Sequence, residues 1–290
     1  MTVADAYEHA FVETNGIRLH VVTAGDSHGW PILLLHGFPE FWYGWRHQIP
    51  ALVSAGFWVI VPDQRGYSLS DKPKGVRSYE TKQLALDVIG LLDYFGIGKT
   101  ALVGHDWGAA VAWEVALAFP ERVGRLAILN VPHPAVMMRT LRSSPRQMLK
   151  SWYIGFFQIP GLADWVLQAH HFAALARMLR SSGKAKTFSD SDLAEYRQAW
   201  EQPGALTAMI NWYREIFRER SSRRSHVRVR VPTLVLWGKH DVALSPEMAQ
   251  RSVELCDDGQ LVYFENATHW VQHDEAEEVN RRLVVFFTKE

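Results

Sequence analysis

The chain has 290 residues, 48 % of them hydrophobic and 21 % charged, enough for one large α/β domain with an inserted subdomain. Its 31 basic and 31 acidic side chains cancel, so no global field would recruit nucleic acid. The single cysteine, Cys256, excludes an internal disulfide and fits a reducing, cytoplasmic setting, and no motif around it suggests a catalytic thiol.

The first residues, MTVADAYEHAF, are acidic and weakly apolar, unlike a secretory signal. No apolar run reaches the ~20 residues that cross a bilayer. The stretch FVETNGIRLHVVTAG (11–25) predicts a hairpin turning at Asn15-Gly16. Short apolar runs then recur, each ending in a small polar cluster. PILLL (31–35) meets His36-Gly37, WVIV (58–61) meets Pro62-Asp63, and ALV (101–103) meets Gly104-His105-Asp106. LAIL (126–129) meets Asn130, TLVLW (233–237) meets Gly238, and LVYF (261–264) meets Glu265-Asn266. Such runs are what strands covered on both faces look like. Helix-period stretches at 80–95, 107–119 and 276–288 lie between or after them, and the alternation predicts a mostly parallel sheet flanked by helices.

The alternation breaks once. Residues 135–220 hold no strand-like run, only helical stretches rich in Met, Trp, Phe and Arg. They predict a helical cap inserted into a core formed by 1–134 and 221–290. RERSSRRSHVRVRVP (218–232) returns the chain to the sheet and reads as a solvated linker rather than a nucleic-acid patch.

Ligands gather at the carboxyl ends of parallel strands, so the polar clusters can converge. GHDWGAAVAW (104–113) has the shape of a nucleophile elbow, with small neighbours Gly104, Gly108, Ala109 and Ala110 where the backbone must turn sharply. Its centre is Asp106 rather than serine. The order nucleophile, acid, histidine then points to Asp241 in WGKHDVALSP and His269 in ENATHWVQHDE. His273, four residues on, is the competing base. His105 and His240 adjoin the motif residues, and as neighbours at strand ends their side chains should point elsewhere.

With these residues in place, the chain resembles the epoxide hydrolase branch of the α/β-hydrolase superfamily over essentially its whole length. The resemblance rests on HGFPEFWYGWRHQI (36–49), DQRGYSLSDKP (63–73), GHDWGA (104–109), NVPHP (130–134), FFQIPG (156–161), NWYR (211–214), WGKHD (237–241) and THWVQ (268–272). It implies that Phe38 and Trp107 give backbone N–H groups to an oxyanion-type hole. It also implies that Tyr153 and Tyr213 are cap tyrosines that bind substrate and assist ring opening. Ser68 departs from the family, which often has glycine there; it reads as loop variation.

A carboxylate is ionised at neutral pH without help from a base. Against a carbonyl it would form an anhydride, so it suits attack at a saturated carbon, giving an alkyl ester. His269, oriented by Asp241, would activate water to hydrolyse that ester. An epoxide leaves as an alkoxide, which needs an acid, and tyrosine holds its proton until then. The implied substrates are a lipophilic epoxide and water, with no cofactor or metal, in a monomer or homodimer. Haloalkane dehalogenation by the same triad is the alternative; Phe38 and the small residues after Trp107 offer no side-chain donor to a halide. A non-enzymatic binding protein on this fold would be expected to lose part of the set, and every member is present.

Overall fold

A computed structural model describes residues 7–216, 218 and 227–289. The chain opens on a hairpin of β1 (Glu8–Thr14) and β2 (Ile17–Ala24), with Thr14 opposite Ile17. Asn15 and Gly16 between them have φ of 46° and 73°, the pair of positive values that a two-residue Asn-Gly turn requires.

Strands and helices then alternate. They are β3 (Trp30–Leu35), α1 (Gln48–Ser54), β4 (Phe57–Pro62), α2 (Thr81–Tyr94), β5 (Thr100–His105), α3 (Trp107–Ala118) and β6 (Val123–Leu129). Six helices follow: α4 (Pro134–Ser143), α5 (Pro145–Lys150), α6 (Trp152–Phe157), α7 (Leu162–Ser182), α8 (Asp190–Trp200) and α9 (Ala205–Glu215). The sheet resumes with β7 (Thr233–Gly238), α10 (Glu247–Val253), β8 (Gly259–Phe264), α11 (Val271–Asp274) and α12 (Ala276–Thr288). Residues 219–226, within the expected return linker, lie outside the described residues.

One eight-stranded sheet runs in the order β1-β2-β4-β3-β5-β6-β7-β8. It is antiparallel across β1, β2 and β4 and parallel from β4 to β8. Leu33, Leu34 and Leu35 are all fully buried although neighbours in a strand face opposite ways, so both faces of β3 are covered. The continuous apolar runs of the sequence have this cause. The stretch after β6 is helical because prolines and caps punctuate it. Pro134 and Pro145 stand in first turns, with His133 and Ser144 side chains accepting from the backbone. Ser189 and Asp192 cap α8 reciprocally. Within α7 the helical path is interrupted at 169–172, where His170, His171 and Phe172 have positive φ.

The strand-to-helix turn after β5 is packed tightly. A Cβ on Gly108 would sit 2.1 Å from the carbonyl oxygen of Leu35, so α3 can lie this close to β3 only with glycine there. Ser68, read above as loop variation, is buried with a φ of 43°, a left-handed position that favours glycine.

Gly108→Ala should therefore lower stability by about 3 kcal/mol or more. Gly155→Ala on α6, where nothing lies within 4 Å of the new Cβ, should be neutral or stabilising. Urea unfolding of the two variants checks this; equal stabilities would contradict the close approach.

Candidate active site

Asp106 links β5 to α3, at the N-cap of the helix, with φ 50° and ψ −124°, outside the ordinary regions for a side chain other than glycine. That turn lifts its carboxylate out of the sheet, toward the loops that follow β3, β7 and β8. Gly37, after β3, gives it room: a Cβ there would fall 2.2 Å from Asp106 Cβ. The Phe38 N–H donates to Asp106 Oδ1 at 2.7 Å. Trp107, first residue of α3, makes no backbone hydrogen bond to the carboxylate among the described contacts.

On the other side, His269 Nε2 lies 3.4 Å from Asp106 Oδ2 and His269 Nδ1 lies 2.8 Å from Asp241 Oδ2. Residues from the ends of β5, β7 and β8 thus meet in one line. Side-chain exposure falls along it, from 18 % for Asp106 to 8 % for His269 and 0 % for Asp241. The reachable group is the aspartate at the elbow.

His273, the competing base, is turned away, with Nε2 on Glu40 Oε1 at 2.8 Å. His240 is exposed, as expected of a side chain pointing elsewhere. His105 also turns away from Asp106, yet it packs against His269. Its ring centroid is 4.8 Å from that of His269, and its Nε2 donates to the His269 carbonyl at 2.9 Å. The β-strand alternation turns His105 from the Asp106 side but places it beneath the histidine loop. Burial pushes the Cys256 thiol up to about 11, so it carries little thiolate at neutral pH.

The two tyrosines come from α6 and α9 and meet over the elbow, ring centroids 5.9 Å apart. Tyr213 also packs edge-to-face on Phe38 at 5.2 Å and on Trp107 at 5.1 Å. Burial, and then the charge of Asp106, raise both phenols above their ordinary value. Both are therefore protonated at neutral pH. Among the described residues, no three His, Cys, Asp or Glu are grouped to hold a metal ion.

Burial penalises charge on Asp106 and Asp241, but the bonds and charge of His269 outweigh it and hold both carboxyls below their usual value. His269 shows the reverse. Burial alone would lower it, but the charge of Asp241, hydrogen bonds to Asp106 and Asp241, and the charge of Asp106 raise it from 6.5 to about 10.

Several positioning groups were given no role by the sequence, although Asn130 stood there as a strand-end polar residue. Asn130, after β6, donates to Asp241 Oδ2 at 2.8 Å and accepts from the Gly238 N–H at 3.0 Å. The N–H groups of Ala243 and Leu244 occupy Asp241 Oδ1 at 2.7 and 2.8 Å. From α5, Lys150 Nζ donates to the Asp241 carbonyl at 2.8 Å, and Gln147 donates to Ala243 and accepts from Ser245. The helix preceding Tyr153 is thereby tied to the loop of the triad acid.

A mostly parallel sheet with an elbow after β5 and an acid and histidine after its last strands defines an α/β hydrolase. The sequence matches the alpha/beta hydrolase fold family over residues 31–276. It is 44 % identical over 282 residues to the AB hydrolase superfamily protein YfhM of Bacillus subtilis, covering 97 % of this chain and 98 % of that protein. It is 36 % identical to Epoxide hydrolase 4 of Mus musculus, covering 96 % and 79 %. The crystal structure of a Bacillus megaterium epoxide hydrolase in complex with an inhibitor superposes with a TM-score of 0.89 at 32 % identity, covering 97 % and 100 %. The chain belongs to the α/β-hydrolase superfamily, among its epoxide hydrolases.

A group whose pKa is raised on folding stabilises fully below its unfolded value, and that contribution is lost as pH climbs through the folded one. The stability gap between the parent and His269→Gln should therefore narrow from pH 6.5 to about 10, by more than about 1 kcal/mol. The lowered carboxylates do not titrate in that window. Urea unfolding at several pH values measures the gap; a constant gap would contradict a histidinium held between two carboxylates.

Proposed function

We propose that this chain is an epoxide hydrolase that converts lipophilic epoxides to vicinal diols through a covalent ester on Asp106. The supporting observation is the placement of one carboxylate between three kinds of group. A backbone N–H holds one oxygen, a histidine stands at the other, and two protonated tyrosines close over it. In this reading residues 135–220 form a cap that supplies the tyrosines, over a core of 1–134 and 221–290. The lone, buried Cys256 suits a cytoplasmic setting.

Asp106 attacks an epoxide carbon, and the C–O bond breaks as Tyr153 and Tyr213 bind the departing oxygen and give it a proton. The product is an alkyl ester on Asp106. Esterification removes the negative charge of Asp106 and its acceptance from His269, two of the causes that hold His269 protonated. The ring's pKa falls, and the proton it sheds balances the one given to the alkoxide. His269 then becomes a base, fixed by Asp241, and takes a proton from water as that water adds to the ester carbonyl. The Phe38 N–H steadies the oxygen on which charge develops, with Trp107 N–H as the second donor once that oxygen forms. Collapse releases the diol and restores the carboxylate.

The tyrosines distinguish epoxide opening from halide release, since a halide leaves without taking a proton. The parent should open styrene oxide and release no halide from bromoalkanes. Tyr153→Phe with Tyr213→Phe should cut epoxide turnover by about 10² to 10⁴, with either single change leaving residual activity. Circular dichroism confirms the fold. Near-normal epoxide turnover by the double variant would remove the basis for the ring-opening assignment.

A further inference from the structure

Apolar side chains are exposed unevenly on this protein. Fifteen large ones are exposed among the described residues, and seven of these fall within 138–165, on α4, α5, α6 and the start of α7. Within that stretch Leu149, Trp165, Trp152 and Met148 are the most open, at 75, 71, 67 and 58 %. These helices pack on one another in succession, so the exposed side chains belong to one contiguous part of the fold. A soluble surface scatters such residues; a concentration of them marks a contact surface.

The charge of the same segment is equally uneven in a chain whose total charge is zero. No Asp or Glu occurs from residue 122 to 163, while Arg139, Arg142, Arg146 and Lys150 do. The three arginines are exposed, and none has an ion pair among the described residues. The nearest acids are committed or few. Asp164 is bonded to Arg214 and Thr207, and Lys150 is faced by Asp241, itself bonded to His269, and by Glu247 on α10.

We propose that this face docks on anionic lipid bilayers, with its Trp, Leu and Met side chains in the interfacial layer and its arginines on the headgroups. Tryptophan and leucine beside arginine are the composition of surfaces that lie in a membrane interface. A second copy of the chain fits less well, because a two-fold contact would bring like-charged arginines together without carboxylates. No helix of the described residues is long and apolar enough to cross a membrane, so the contact is peripheral. The placement also bears on the reaction, and this part rests on the epoxide hydrolase reading. Helix α6 turns Tyr153 toward Tyr213 and its neighbour Trp152 outward, so a lipophilic epoxide dissolved in the bilayer lies next to the cap that receives it.

The test is co-sedimentation of the whole protein with phosphatidylcholine vesicles, with and without phosphatidylglycerol, in the absence of any epoxide. The parent should bind the anionic vesicles at least tenfold better than the neutral ones and be released by high salt. Replacing Arg139, Arg142 and Arg146 together with glutamine should lower the partition coefficient by roughly a hundredfold at low ionic strength. Trp152→Ala with Trp165→Ala should abolish binding while epoxide turnover in solution is unchanged. Equal partition to both vesicle types, or none at low salt, overturns the proposal. So does a parent dimer in sedimentation velocity that the double tryptophan variant dissolves, since a second copy would then occupy the face. Vesicle binding is read without substrate, so its failure leaves the hydrolase assignment standing, and a failed turnover assay leaves the docking result intact.

Discussion

The backbone of Asp106, at φ 50° and ψ −124°, is the constraint on which the rest of the site depends. Such a conformation costs about 1–3 kcal/mol and persists only where its surroundings enforce it. Here β5 and α3 enforce it from either side, with Gly108 against Leu35 and Gly37 against Asp106 itself. A side chain at either glycine would push the elbow from the sheet. The same turn places the carboxylate where the loops after β3, β7 and β8 can reach it, so the geometry of catalysis is set by close packing in the core.

The carboxylate also governs the charge state of its partner. His269 is held protonated up to about 10 because Asp241 and Asp106 flank it. In the proposed mechanism its conversion to a base follows from neutralising Asp106, which ties the order of the two steps to electrostatics. Asn130 and the Ala243 and Leu244 N–H groups keep Asp241 ionised and oriented. Lys150 and Gln147 fix that loop to the helix before Tyr153. A shift of α5 would consequently move the start of the Tyr153 helix and the Asp241 loop together.

Much of this was legible in the sequence. The strands appear as uninterrupted apolar runs because both faces of the sheet are covered, and Asn15-Gly16 marks its hairpin by the positive φ the turn demands. The order Asp106, Asp241, His269 could be read because each residue follows a strand at the edge where ligands gather. Asn130 was visible as a strand-end polar residue but its partner was not, and Gln147 and Lys150 were not visible at all, since their partners lie about 90 to 110 residues away and nothing local distinguishes them from a helix surface. His105 was placed on the correct strand, but strand alternation alone did not show that its far side lies under the His269 loop. The interruption of α7 at 169–172 was equally hidden, because no proline or glycine announces it.

The central claim is that Asp106 forms a covalent bond to carbon, and the origin of the product oxygen tests it most directly. If the carboxylate attacks the epoxide, the added diol oxygen begins on the enzyme, and water later attacks the carboxyl carbon of the ester. A single turnover in heavy-oxygen water, with enzyme in excess, should give diol largely free of label and a labelled peptide containing Asp106. Labelled diol and unlabelled enzyme in that first turnover would show that His269-activated water attacks the epoxide itself, and would reduce Asp106 to an electrostatic role.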